Sequence, residues 1–167
     1  SSDGTYTSLA SKDYVDKAHD MGLKVWAMVE NVSTQESIKN LNTKTLMSST
    51  STRKKLIEKL MNEADTYGFD GFNLDFESLK AEAGPHYVQF IREMSVACRN
   101  KGLVLSVDNY VPSSYTAFYN RKEQGIVADY VIVMGYDEHY AGGEAGSVSS
   151  IPYVREGIEN TLKEVPK

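Results

Sequence analysis

The stretch Phe69-Asp70-Gly71-Phe72-Asn73-Leu74-Asp75-Phe76-Glu77 constrains this chain more than any other. Polar and apolar side chains alternate through it with the period of a β-strand. Asn73, Asp75 and Glu77 fall on one face, and Phe72, Leu74 and Phe76 on the other. Both flanks read as helices. Upstream, Leu56, Ile57, Leu60, Met61 and Ala64 repeat at helical spacing, and Gly68 stands at the expected C-terminal cap. Downstream, Pro85 can open a helix whose buried stripe is Tyr87, Phe90, Ile91, Met94, Ala97 and Cys98, with Gly102 as its stop. A strand between two such helices belongs to a parallel sheet, and parallel sheets are normally covered. An alternating strand standing alone would be read as half-exposed. Polar groups pointing into a covered sheet point instead to a functional site. Two carboxyls held side by side on a rigid strand have their pKa values pushed apart, as acid catalysis of sugar hydrolysis requires.

The remaining elements follow in regular order. Residues 11–21 read as a helix, 23–29 as a strand carrying Trp26, and 31–51 as a polar stretch with a short helix near 36–41. After the two helices that flank the central strand come a strand at 103–107, a loop at 109–114 and a short helix at 115–124. A strand then covers 129–136, a Gly-rich loop 141–146, and Pro152 opens a last helix carrying Tyr153, Val154, Ile158 and Leu162. Four strands alternating with helices are the pattern of an α/β parallel sheet, and both an open doubly wound sheet and a (β/α)8 barrel fit it. In either case function gathers at the C-terminal ends of the strands, where Glu77 and the Tyr136-Asp137 pair fall. The Gly-rich loop has no phosphate-cradle motif and reads as a surface loop.

Composition narrows the function. The 167 residues are 41% hydrophobic and 25% charged, with a formal net charge of −5. This size suits a single domain, 1–167. Mild acidity argues against nucleic acid as a partner. No run of about 18 apolar residues is present to span a membrane. Cys98, the single cysteine, reads as a small buried side chain. The three histidines lack metal spacing. A Mg²⁺-dependent hydrolase built on Asp70, Asp75 and Glu77 is disfavoured because Asp70 has the opposite side-chain parity. No cofactor or metal is therefore expected.

The motif Asp70-Gly-Phe-Asn73-Leu-Asp75-Phe-Glu77 resembles the DGxDxDxE signature of glycoside hydrolase family 18, the chitinase family. Met134-Gly-Tyr136-Asp137 resembles its MxYD motif, and Lys24 to Asn31 sits where the family has its third strand. The wording is most similar to the bacterial branch of spore-germination and cortex-lytic N-acetylglucosaminidases. This resemblance implies a partial (β/α)8 TIM barrel of about four parallel strands, family strands three to six, and a single incomplete catalytic domain. It implies retaining, substrate-assisted hydrolysis of β-1,4-linked N-acetylglucosamine polymers, peptidoglycan or chitin. Glu77 would be the general acid. Asp75 would orient the substrate's acetamide and stabilise the oxazolinium. Tyr136 would hydrogen-bond the acetamide carbonyl, and Asp137, Asn73 and Met134 would line the sugar site. Asp70 is read as structural, and Trp26 as buried core rather than a sugar platform.

Asn73 departs from the family pattern by standing where chitinases usually carry an aspartate. An incomplete barrel also exposes two parallel sheet edges, which predicts self-association and weak or absent turnover. The competing reading is a non-catalytic, sugar-binding chitinase-like protein. Resemblance further implies a secreted location, at a cell wall or spore.

Overall fold

The computed structural model describes residues 1–31 and 42–166. Four strands form one parallel sheet in sequential order: β1 (Trp26–Glu30), β2 (Gly71–Asp75), β3 (Val104–Tyr110) and β4 (Tyr130–Met134). Helices α1 (Lys12–Asp20), α2 (Thr43–Ser48), α3 (Thr50–Tyr67), α4 (Gly84–Lys101), α5 (Arg121–Val127) and α6 (Ile151–Glu164) surround it. The helix expected near 36–41 lies outside the described residues.

Local chemistry explains the boundaries. The Ser11 hydroxyl caps α1 by accepting from the Tyr14 N–H, and the Asn42 side chain caps α2 at Thr45. Helices α3 and α4 end on Gly68 and Gly102, both left-handed. Several elements differ from the sequence reading: α2 has no counterpart there, and the strand expected over 129–136 spans only Tyr130–Met134. Strand β3 runs to Tyr110 instead of stopping at Val107, because β4 pairs with it through Tyr110↔Met134. The helix expected over 115–124 is broken in two. A 3-10 segment, Ser114–Tyr119, is followed by Asn120 at φ 54°, whose side chain then caps α5. The strand expected from Leu23 begins only at Trp26.

Helices cover one face of the sheet. Phe72, Leu74 and Val107 are fully buried there, with Leu105 and Phe76 nearly so, against the Tyr87–Phe90–Ile91–Met94 stripe of α4. Arg53 ties the helical layer together. It is buried, holds Glu93 of α4 through two hydrogen bonds of 2.8 and 2.9 Å, and donates to the Met47 carbonyl.

The other face is concave and only partly covered, as an incomplete barrel leaves it. By register it carries Trp26, Met28 and Glu30 from β1, then Asn73 and Asp75 from β2. Strand β3 adds Ser106, Asp108 and Tyr110, and β4 adds Tyr130, Ile132 and Met134. The curl is strong enough for Trp26 of β1 to meet Tyr130 of β4, with ring centroids 5.3 Å apart, although two strands separate them. Gly71 makes room for this. A Cβ there would stand 2.5 Å from the Val104 carbonyl oxygen and 3.0 Å from the Trp26 ring. Trp26 is thus a partly exposed residue of the concave face, not a core residue. It also stands at the N-terminal end of its strand, remote from Glu77.

Candidate active site

The site gathers at the C-terminal ends of the strands. Asn31 follows β1, Glu77 follows β2, Tyr110 closes β3, and Tyr136 and Asp137 follow β4. Glu77 is gripped by its backbone. Asn31 accepts the Glu77 N–H at 2.7 Å and donates to the Glu77 carbonyl at 2.9 Å. Its carboxylate oxygen Oε2 accepts the Tyr110 hydroxyl at 2.9 Å. Ser78 and Asp137, directly beside the two motif ends, have φ of 53° and 59°. Left-handed backbone at non-glycine residues is costly and concentrates where side chains must be aimed.

Glu77, Tyr110, Met134, Tyr136, Asp137 and Tyr153 contribute to the wall of a cavity of about 780 Å³. The structure therefore brings Glu77, Met134, Tyr136 and Asp137 together. Asp75 and Asn73 lie deeper along β2 and are not part of that wall. Both N–H groups of the Asn73 amide are engaged. It donates to the Ser106 hydroxyl at 2.9 Å and to the Asp108 carboxylate at 2.8 Å.

Electrostatics separate these groups. Burial pushes the Asp75 carboxyl up to about 6, and the negative charges of Glu77, Asp108 and Glu30 push the same way. Its Oδ1 is buried and has no hydrogen-bond partner among the described residues. Burial also raises Asp108, opposed by the hydrogen bond from Asn73 and reinforced by Glu77. The Tyr136 hydroxyl is raised by burial and by Asp75, Glu77, Asp108 and Asp137, so it stays a protonated donor at neutral pH. Asp70 stands apart at the opposite end of β2. Burial would raise it, but the Lys24 ammonium, the Val25 N–H and His19 outweigh that and hold it at about 2. That geometry ties β2 to α1 and β1. Among the described residues, no three histidine, cysteine or acidic side chains are close enough to share a metal ion.

Asn31, Ser106, Asp108 and Tyr110 were not identified from sequence. A signal existed for three of them: Ser106, Asp108 and Tyr110 alternate with period two, as in β2. Reading residues 109–114 as loop hid it.

The sequence profile of glycosyl hydrolases family 18 matches residues 6–163, and the chain belongs to that family. It is 28% identical over 152 residues to the uncharacterized glycosylase YvbX of Bacillus subtilis, covering 86% of this chain and 44% of that protein. It is 30% identical over 127 residues to the cortical fragment-lytic enzyme of Bacillus subtilis, covering 72% of this chain and 30% of that one. Among solved structures, the sporulation-specific glycosylase ydhD of Bacillus subtilis superposes with a TM-score of 0.88 at 23% identity, over 99% of this chain and 56% of that one. The chain thus spans less than half the length of these curated relatives. Its curled four-stranded sheet is a partial (β/α)8 barrel.

Proposed function

We propose that this chain carries the acid-bearing part of a retaining glycosidase that cleaves β-1,4-linked N-acetylglucosamine polymers, peptidoglycan or chitin. The observation that carries the reading is the aimed Glu77 carboxylate, held in the wall of the cavity that Tyr136 and Asp137 also line. Glu77 protonates the glycosidic oxygen. The substrate's acetamide oxygen attacks the anomeric carbon from the other side, as family 18 enzymes do. Asp75 stabilises the resulting oxazolinium charge, and the Tyr136 hydroxyl donates to the acetamide. Met134 and Asp137 shape the sugar site, while Asn73 supports Asp75 indirectly by holding Asp108.

The relatives' names, a cortical fragment-lytic enzyme among them, support action on a cell wall or spore cortex. By itself this chain is expected to turn over weakly, because its concave face lies open at Met28 and Ile132. Among the described residues β1 and β4 end the sheet, and pairing of a second copy on those edges is the self-association expected of this chain. The test is hydrolysis of a 4-methylumbelliferyl N-acetylglucosamine oligomer by wild type and Glu77→Gln, with the eluting species sized. Turnover that disappears with Glu77→Gln supports the glycosidase. Oligomer binding without turnover, unchanged by Glu77→Gln, replaces it with the sugar-binding reading.

A further inference from the structure

We infer that Tyr110 is a positioning residue that decides which oxygen of Glu77 delivers the proton. The inference rests on Glu77 being the general acid. It starts from how completely the segment around Glu77 is held. Asn31 fixes the Glu77 backbone from both sides. The Tyr119 hydroxyl donates to the Phe76 carbonyl at 2.9 Å and accepts the Leu79 N–H at 3.4 Å. What is left to place is the carboxyl group itself, and Tyr110 reaches it from the neighbouring strand.

The direction of that hydrogen bond is set by a third group. The Ser78 N–H donates to the Tyr110 oxygen at 3.0 Å. A phenol has one proton to give, and with a lone pair already occupied by Ser78 that proton points at Glu77 Oε2, 2.9 Å away. Ser78 has left-handed backbone, φ 53°, at this turn. Tyr110 is in turn immobilised. Its ring meets Tyr119 edge-on, with centroids 5.8 Å apart, and its carbonyl accepts Arg121 at 3.1 Å.

An acid that transfers one proton has two candidate oxygens. Because Oε2 accepts from Tyr110, the acid's own proton resides on Oε1. In the transfer that proton passes to the glycosidic oxygen, the anomeric C–O bond breaks toward that oxygen, and Glu77 is left as a carboxylate. Tyr110 keeps its own proton throughout. Its hydrogen bond changes from neutral to charge-assisted as Glu77 loses its proton, and so strengthens during the step. An interaction that strengthens toward the transition state raises kcat rather than substrate affinity.

The experiment uses the chain labelled with 13Cζ-tyrosine, the Tyr110 resonance being identified by its loss in Tyr110→Phe. The resonance is followed from roughly pH 3 to pH 8, across the carboxyl range. The expected result is a movement of the Tyr110 signal with acidic titration that is lost in Glu77→Gln. A Tyr110 profile unchanged by Glu77→Gln overturns the proposal whether or not the chain hydrolyses anything. In parallel, Tyr110→Phe is expected to lower kcat about 10- to 100-fold, the loss of a hydrogen bond to a charged group, with KM changed by less than about threefold. An unchanged kcat overturns the role in proton delivery. A coupled resonance in a wild-type chain that shows no turnover supports the Tyr110–Glu77 link and counts against the glycosidase reading alone.

Discussion

Asn73 on β2 donates its side-chain amide to the Asp108 carboxylate on β3 across 2.8 Å. The amide therefore neutralises part of a cost that two facing carboxylates would carry, since like charges at that distance cannot both ionise freely. Asn73→Asp is expected to destabilise the chain at pH 7 by about 1–3 kcal/mol, by removing a donor and adding a charge. The deficit should shrink toward pH 5, as the facing pair takes up one proton. Urea denaturation at the two pH values measures it. Equal stability loss at both would disconnect the effect from Asp108.

Asp75 carries a carboxyl whose ionisation the fold resists. Its carboxyl is raised from 3.8 to about 6 by burial and by its acidic neighbours. In the unfolded chain it releases its proton near the ordinary value. Between about pH 4 and 6 the native state thus holds the extra proton, and stability falls as pH rises through that window. Asp75→Asn removes this penalty. Its melting temperature should exceed that of wild type at pH 7, with the gain fading toward pH 4. In any form that turns over, the same substitution should cost about 10²- to 10³-fold in kcat, as expected when a group stabilising developing charge is lost.

Asp70 works with the opposite sign. Despite its burial, Lys24, the Val25 N–H and His19 depress its carboxyl to about 2. Its contribution is present above about pH 4 and is lost as pH falls toward 2. Asp70→Asn should cost about 1–3 kcal/mol at pH 7 and progressively less in acid. Thermal scans across that range would show it, and a cost that persisted at pH 2 would contradict the ion-pair account.

Gly71 permits the curl of the sheet. Gly71→Ala places a methyl 2.5 Å from the Val104 carbonyl oxygen and 3.0 Å from Trp26. The expected cost is about 1–3 kcal/mol, typical of overpacking, through backbone shifts in β2. Because Trp26 is the only tryptophan in the chain, its fluorescence reports the change directly. An unshifted spectrum with full stability would mean that the sheet curls for other reasons.

Much of this architecture was legible in the residues. Period-two alternation from Phe72 to Glu77 announced β2, and Phe72, Leu74 and Phe76 are indeed its helix-facing side. Gly68 and Gly102 marked helix ends, because a left-handed cap leaves few alternatives to glycine. Ser106, Asp108 and Tyr110 escaped notice because a strand's end depends on the partner that hydrogen-bonds it, and β4 lies distant in sequence. Trp26 was misjudged for a related reason. Its burial depends on a curl set by all four strands together.

Local periodicity and cap chemistry act over a few residues, so the sequence by itself determined the four parallel strands, the long helices α3 and α4, and the acidic residues Asp75 and Glu77 at the C-terminal end of β2. Distances across strands act between residues far apart in the chain. Only the tertiary structure decided that Asn73 would meet Asp108, that the Tyr110 hydroxyl would donate a hydrogen bond to Glu77, and that Asn31 would clamp the Glu77 backbone. Each of those contacts joins residues that no spacing along the sequence relates, and each depends on the register in which neighbouring strands pair.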